Sequence, residues 1–301
     1  MSSVEPFFMR PRRSFLSVPA INQRALDKVH GLDCDGVIFD LEDSVAPEKK
    51  AQARDNLKQF FSQGPRSDHI AVIRINEITS PFFEADLALV LELKPDAVLL
   101  PKVDTAADIE RVETLLDTAG APAPLKIWAM MESARGVANA VTIAATREAG
   151  AHRLDGFVVG LNDLRKQTRI LPRPGRIYLV PLLMQVVLAA RAYGLCVIDS
   201  VSNDFRDLDS FAGECLQGRE MGFDGKMLIH PAQIAPANRA FGPSPEEIAE
   251  AKAIAEAFAK PEAAHLNVVN LDGRMIERLH LEEAEKLLAQ VQLIERRKTE
   301  T

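Results

Sequence analysis

Ala97-Val98-Leu99-Leu100-Pro101-Lys102 is four apolar residues ended by a proline and a cation. Such a run reads as a short strand buried on both faces, because a half-exposed strand would alternate. Helical patterns flank it over 83–93 and 106–118; the second sets Ile109, Val112, Leu115 and Leu116 on one face and charges on the other. Working outward, the same unit recurs. Strands are expected at 14–19, 36–41, 70–76, 97–102, 125–132, 156–160, 195–201 and 225–230, and further helices at 136–148, 180–193 and 207–221. Eight strands in strict alternation with helices predict a parallel sheet closed into a (β/α)₈ TIM barrel. No Gly-x-Gly-x-x-Gly follows the first strand, so the main cue for a dinucleotide-binding fold is missing.

The pattern changes after Pro231. Ser244-Pro245-Glu246-Glu247 predicts a helix start, with Ser244 as N-cap, Pro245 in first position and Glu247 closing a capping box. That helix should run to Ala259, followed by an extended piece over 267–271 and a charged helix over 282–297. The expected organisation is therefore a catalytic barrel over 1–240 and a C-terminal helical arm over 241–301. The arm is too small and polar to stand alone, so it should pack on a barrel, its own or a neighbour's.

The 301 residues are 47% hydrophobic and 26% charged, as expected for a chain with a substantial core. A formal charge of −7 argues against a nucleic-acid partner, the run Met9-Arg10-Pro11-Arg12-Arg13 being the only basic block that stands out. No apolar run is long enough for a membrane span, and Met1 to Arg13 lacks the apolar core of an export signal. Cys34, Cys196 and Cys215 are scattered and odd in number, which fits reduced thiols and a cytoplasmic protein.

Active sites of such barrels sit at the C-terminal strand ends. There the sequence reads Asp40-Leu41-Glu42-Asp43, Arg74-Ile75-Asn76, Pro101-Lys102, Met131-Glu132-Ser133, Gly160-Leu161-Asn162-Asp163 and Asp199-Ser200. An acidic rim of this kind is costly unless a cation sits in it, and Mg²⁺ prefers oxygen ligands. Arg74 offers a fork for a substrate carboxylate. Each residue also has a plainer reading: the Asp40–Asp43 run can cap the next helix, His230 can be a core histidine, and Asp272 before Gly273 can serve a turn.

The ordered set of motifs is more specific than any member. Arg13-Ser14-Phe15-Leu16-Ser17-Val18-Pro19, Asp40-Leu41-Glu42-Asp43-Ser44-Val45, Arg74-Ile75-Asn76, Met131-Glu132-Ser133, Gly160-Leu161-Asn162-Asp163-Leu164, Gly222-Phe223-Asp224-Gly225-Lys226, Ile229-His230-Pro231 and Leu271-Asp272-Gly273-Arg274-Met275-Ile276 resemble the citrate lyase β-subunit-like group of the HpcH/HpaI aldolase superfamily. The resemblance covers about residues 12–292 and extends to the malyl-CoA and citramalyl-CoA lyases.

That resemblance implies Mg²⁺, with Mn²⁺ as a substitute, held by Glu132 and Asp163, while Asp40 and Asp43 hold water on the metal. It implies that Arg74 binds the oxo acid or carboxylate, that Gly160 and Asn162 line the substrate, and that Asp272 on the arm reaches a neighbouring subunit's site as the acid/base. The implied reaction is carbon–carbon cleavage of a 3-hydroxyacyl-CoA, such as malyl-, citramalyl- or citryl-CoA, to a 2-oxo acid and acetyl-CoA or a homologue. A thioesterase on the same substrates, an aldolase of free hydroxy-oxo acids and a carrier-dependent citrate lyase subunit are the rivals. A homotrimer or dimer of trimers is expected. Arg24 and Lys28, spaced i, i+4, suit CoA phosphates or an ordinary exposed helix face equally. Two departures stand out: Leu161 is bulky where a small residue is common, and Arg165-Lys166-Gln167-Thr168-Arg169 is unusually basic.

Overall fold

A computed structural model describes residues 10–63, 68–260, 263 and 265–300. The opening residues 1–9, expected to carry no export signal, lie outside the described residues, as does Met9 of the basic run. Eight parallel strands close a barrel in the order β1-β2-β3-β4-β5-β6-β7-β8. They are β1 (Ser14–Pro19), β2 (Gly36–Asp40), β3 (Ile70–Arg74), β4 (Ala97–Leu100), β5 (Lys126–Met131), β6 (Leu154–Val159), β7 (Cys196–Asp199) and β8 (Gly225–Leu228). The TIM barrel read from the sequence is the fold. Most strands are one to three residues shorter than expected, because polar rim residues leave the ladder as the loops begin.

The barrel helices are α1 (Gln23–Leu26), α2 (Lys50–Ser62), α3 (Phe83–Leu93), α4 (Ala106–Thr118), α5 (Ala134–Ala138), α6 (Ala140–Ala149), α7 (Leu161–Thr168), α8 (Val180–Ala192), α9 (Leu208–Glu220) and α10 (Ile234–Phe241). The helix expected over 136–148 is two helices, broken at Asn139, whose side-chain amide donates to the Asp104 carbonyl at 2.9 Å.

Strand side chains divide by parity. Leu16, Val37, Phe39, Ile73, Val98, Leu100, Phe157 and Val197 face outward, into the core shared with the helices. Phe15, Ile38, Val72, Leu99, Trp128, Met130 and Val158 are the alternate, fully buried set inside the barrel. At the base, Phe15 meets Trp128 edge-on at 5.0 Å. Gly36 makes this possible, since a Cβ there would lie 2.2 Å from the Phe15 ring.

The basic run closes this end rather than facing a ligand. Arg13 grips Asp35 with Nε and Nη2, each at 2.8 Å; Arg12 pairs with Asp155 at 3.1 Å and lies 5.8 Å over the Trp128 ring. The β5–β6 ladder slips here, with Ile127 opposite Leu154 but Trp128 opposite Gly156, so no β5 residue stands opposite Asp155 in the register.

Arg12–Phe241 form this compact unit, and the residues from Gly242 belong to a second. In the second, α11 (Pro245–Ala259) starts at the expected capping box, Glu247 N–H donating to Ser244 Oγ at 3.2 Å and Ser244 N–H to Glu247 Oε2 at 2.8 Å. The extended piece is in fact a hairpin of β9 (Val268–Leu271) and β10 (Arg274–Glu277), and α12 (Arg278–Glu300) starts four residues before the expected 282. Ala251, Ile254, Phe258, Ile276 and Ala284 form its small core. Among the described residues, no helix is long and apolar enough to cross a membrane.

Candidate active site

The inward parity carries on past the strand ends. Two residues after Ile38, Val72, Met130 and Val158 come Asp40, Arg74, Glu132 and Gly160, which therefore meet at the C-terminal mouth. Arg74 donates from Nε to Asp40 Oδ1 at 2.7 Å and from Nη2 to Asp40 Oδ2 at 2.6 Å. Its Nη1 lies 3.3 Å from Glu42 Oε2 and 3.6 Å from the Met130 sulfur. Asp40 also accepts the N–H groups of Glu42 at 2.9 Å and Ser44 at 3.2 Å. Burial opposes its charge, but Arg74 outweighs that and holds the carboxyl below the ordinary carboxylate range. Four donors occupy its lone pairs, so its work here is to hold Arg74 and the loop after β2.

Glu132 is 3% exposed. Its Oε1 accepts the Lys102 N–H at 2.8 Å, from a backbone held at φ 51°. Its Oε2 lies against Gly160, where a Cβ would come within 2.5 Å of both Oε2 and the Glu132 Cβ. Burial pushes the carboxyl up to about 7; the Lys102 amide and Arg74 pull it down, while Glu42 and Asp163 push it further up. Asp163 is half-buried in the first turn of α7, near enough for its charge to be felt at Glu132.

The sequence placed Glu42 and Lys102 at the rim without giving either a role, yet both are central. Glu42 is 4% exposed and accepts the Lys102 ammonium at 2.9 Å on the oxygen that Arg74 does not approach. Burial lowers and the Glu42 bond raises the Lys102 pKa, and the bond wins. Asp43 is exposed, its N–H donating to Glu42 Oε2 at 2.9 Å. Behind this loop the buried Lys50 ammonium donates to the carbonyls of Leu41 and Glu42, at 2.7 and 2.8 Å. Nothing in the local sequence distinguishes Lys50 from a solvated lysine; the Asp40-Leu41-Glu42-Asp43 run itself was the signal for Glu42.

Asp199 does not belong to the acidic rim. It shares the outward parity of Val197 and is wholly buried against α9, bound by Arg176 at 2.8 Å and Lys226 at 2.9 Å. His230 is not a core residue either: it lies beyond β8, accepts the Ala232 N–H on Nδ1 at 3.1 Å and stacks on Phe205 at 4.6 Å. Asn162 is exposed and exchanges amide hydrogen bonds with Asn203, at 2.8 and 3.3 Å. Arg24 and Lys28 are exposed, but α1 is a single turn ending at Leu26, so Lys28 stands outside it. Asp272 occupies the β9–β10 hairpin tip at φ 51°, followed by Gly273 at φ 82°. The Gly273 N–H is taken by Asn270 Oδ1 at 2.9 Å, so the turn does not use the Asp272 carboxylate.

A charge inventory tests whether a divalent cation fits. Asp40 is matched by Arg74 and Glu42 by Lys102, which leaves Glu132 and Asp163, near enough for their charges to interact, with no ion pair among the described residues. The unmatched donors are carboxylate oxygens, and two negative charges suit a hard divalent ion. The residues fit Mg²⁺.

Comparison with known proteins gives four further observations. The HpcH/HpaI aldolase/citrate lyase family matches residues 13–231. The chain is 43% identical over 284 residues to a (3S)-malyl-CoA thioesterase of Cereibacter sphaeroides, covering 94% of this chain and 96% of that one. It is 29% identical to an L-malyl-CoA/β-methylmalyl-CoA lyase of that organism, covering 95% and 96% of the two chains. Among solved structures, CitE of Mycobacterium tuberculosis in complex with magnesium, acetoacetate and coenzyme A superposes with a TM-score of 0.73 at 27% identity, covering 94% of this chain and 98% of that one.

Proposed function

Because the chain belongs to the HpcH/HpaI aldolase/citrate lyase family, we propose that it is a Mg²⁺-dependent enzyme of malyl-CoA-type thioesters that hydrolyses the thioester bond. The observation that carries the substrate class is the unmatched pair Glu132 and Asp163, together with an arginine pinned by Asp40 whose charge is felt at Glu132. The preference for hydrolysis rests on similarity, which is far greater to a malyl-CoA thioesterase than to a malyl-CoA lyase.

Glu132 and Asp163 would hold the ion, which when bound supplies a Lewis acid for the oxygens of the acyl group. Arg74 receives the free carboxylate of the acyl group on the N–H groups that Asp40 leaves over. Lys102 fixes two carboxylates at once, Glu132 through its backbone and Glu42 through its ammonium. Asp272, brought by a neighbouring subunit, is assigned the proton: it takes one from the water that attacks the thioester carbonyl, and returns it to the departing sulfur to give the CoA thiol. Its carboxylate is exposed and not engaged by the turn.

Carbon–carbon cleavage is the second reading, favoured by the similarity to the lyase over nearly the full length of both chains. The proton moves of Asp272 then change: a base takes the proton of the 3-hydroxyl as the carbon–carbon bond breaks to give the 2-oxo acid, and Asp272 in its acid form protonates the thioester enolate left behind. A homotrimer or dimer of trimers forms part of either reading.

Incubating the protein with malyl-CoA and citramalyl-CoA, with Mg²⁺ and with a chelator, tests both. Free malate or citramalate with CoA supports hydrolysis. Glyoxylate or pyruvate with acetyl-CoA supports the lyase. Turnover only of an acyl-carrier thioester, or only of free hydroxy-oxo acids, would overturn the CoA reading.

A further inference from the structure

Glu132 and Asp163 stand on different elements, the first after β5 and the second in the first turn of α7. Their charges oppose each other, so the carboxylates themselves supply no force that keeps their segments together. Past the β5–β6 ladder, the side-chain hydrogen bond that joins those segments is Gln167 Oε1 accepting the Ala134 N–H at 2.9 Å. Gln167 stands four positions after Asp163, one turn on along the same face of α7. Ala134 stands two positions after Glu132 and is the first residue of α5. An N–H in a first helical turn has no partner within its own helix, and this one is taken by the helix that carries the other carboxylate.

The rest of α5 is fixed from other sides. Ser133 Oγ accepts the Gly136 N–H at 2.8 Å and donates to Asp104, and Gln185 donates to the Val137 carbonyl at 2.9 Å. A Cβ on Gly136 would lie 2.3 Å from the Val103 carbonyl oxygen, so α5 sits directly on the backbone whose preceding amide, that of Lys102, binds Glu132. Glu132 thus has a rigid seat, and Gln167 ties the helix of Asp163 to it.

We propose that Gln167 is a positioning residue for the divalent ion: it sets the separation of Glu132 and Asp163, and with it the size of ion that they accept. The inference rests on the Mg²⁺ reading above. Mg²⁺ demands near-ideal octahedral geometry at about 2.0–2.1 Å, whereas Ca²⁺ accepts flexible ligands at about 2.3–2.6 Å. Two carboxylates held at a fixed separation can favour the smaller ion; a pair free to drift apart loses that preference. Gln167 is exposed, so its loss should show in the choice of ion and little in the stability of the barrel.

Calorimetric titration with Mg²⁺ and with Ca²⁺ tests this in the wild type, Q167L, Q167E and A134P, after urea unfolding confirms that all are folded. Q167L removes the acceptor and A134P the donor, the latter at a first helical position, which tolerates proline; Q167E keeps an acceptor. Q167L and A134P should each bind Mg²⁺ about tenfold more weakly, with Ca²⁺ binding within about twofold of wild type. In Q167E the ratio of the two affinities should stay within about twofold of wild type, since the added charge acts on both ions alike. The double variant A134P/Q167L should lose no more than either single one, because both remove the same bond. Equal losses for the two ions would make Gln167 a prop of the fold and overturn the proposal, as would unchanged Mg²⁺ binding in Q167L. Either outcome leaves the Mg²⁺ reading standing. Wild-type protein that binds no Mg²⁺ overturns that reading and this inference together.

Discussion

Arg74 and Asp40 are locked side-on, Nε to Oδ1 and Nη2 to Oδ2, with Asp40 1% exposed. The geometry spends one edge of the guanidinium on the protein and leaves Nη1 for Glu42 and for a ligand. An arginine held so has little rotamer freedom left to lose when it binds a carboxylate.

Replacing Arg74 with lysine should therefore do more than weaken binding. The fork is lost and Asp40 is left buried with a poor partner, so urea unfolding should show a loss of about 3 kcal/mol, and kcat/KM should fall at least about a hundredfold. Stability equal to wild type would mean that the pair is dispensable to the fold.

Glu132 should make the metal-free protein less stable as pH rises. Its pKa goes from 4.5 to about 7 on folding. Between those values the folded state keeps a proton that the unfolded state has released, so stability falls as pH rises through the window and levels off above it. The loss should be about 3 kcal/mol. In chelator, E132Q should be more stable than wild type at pH 8 and no more stable at pH 5. Mg²⁺ should raise Tm for wild type only.

Gly160→Ala tests the space beside Glu132. The new Cβ would sit 2.5 Å from Oε2, so the carboxylate must swing away. Mg²⁺ affinity measured by titration should fall about tenfold or more, for a stability cost of about 1–3 kcal/mol.

Asp199→Asn separates a structural acid from the catalytic rim. Arg176 and Lys226 are both buried against it, so the variant should lose about 3–5 kcal/mol in urea. The molecules that remain folded should keep wild-type kcat. A large drop in kcat at full occupancy of the folded state would return Asp199 to the active site.

Asp272→Asn should lower kcat by about 10²–10⁴-fold while leaving the Mg²⁺ affinity of the barrel unchanged. Asparagine tolerates the left-handed backbone at the hairpin tip, so the change tests the carboxylate and not the turn.

The barrel was legible because strands such as Ala97–Leu100 are apolar on both faces and are separated by helices of clear period. The rim was legible only as a set of residues following strands. Parity would have sharpened it: Val197 is an outward core residue, and counting two onward removes Asp199. Glu42 and Lys102 lie past the strand ends, where period 2 no longer applies, and their direction is set by a loop that Lys50 and Asn76 tie down from 8 to 35 residues away. The β9–β10 hairpin was readable from Asp272-Gly273 between alternating apolar residues, a strong two-residue turn signal; only its first strand was expected.

Asp155, the residue of β6 with none opposite it in the β5 register, has a remote effect at the foot of the barrel. Had the pairing of Ile127 with Leu154 simply continued, Glu132 would stand beside Val159; the added residue places it beside Gly160, the one neighbour without a side chain. The strands are thus brought into phase roughly 13 Å from the place where phase matters. A frame shift of one residue in β6 would leave every site residue in the chain and still bring a branched side chain against the Glu132 carboxylate. Arg12, which pins Asp155 at the far end, is in that sense a keeper of the reading frame of the active site.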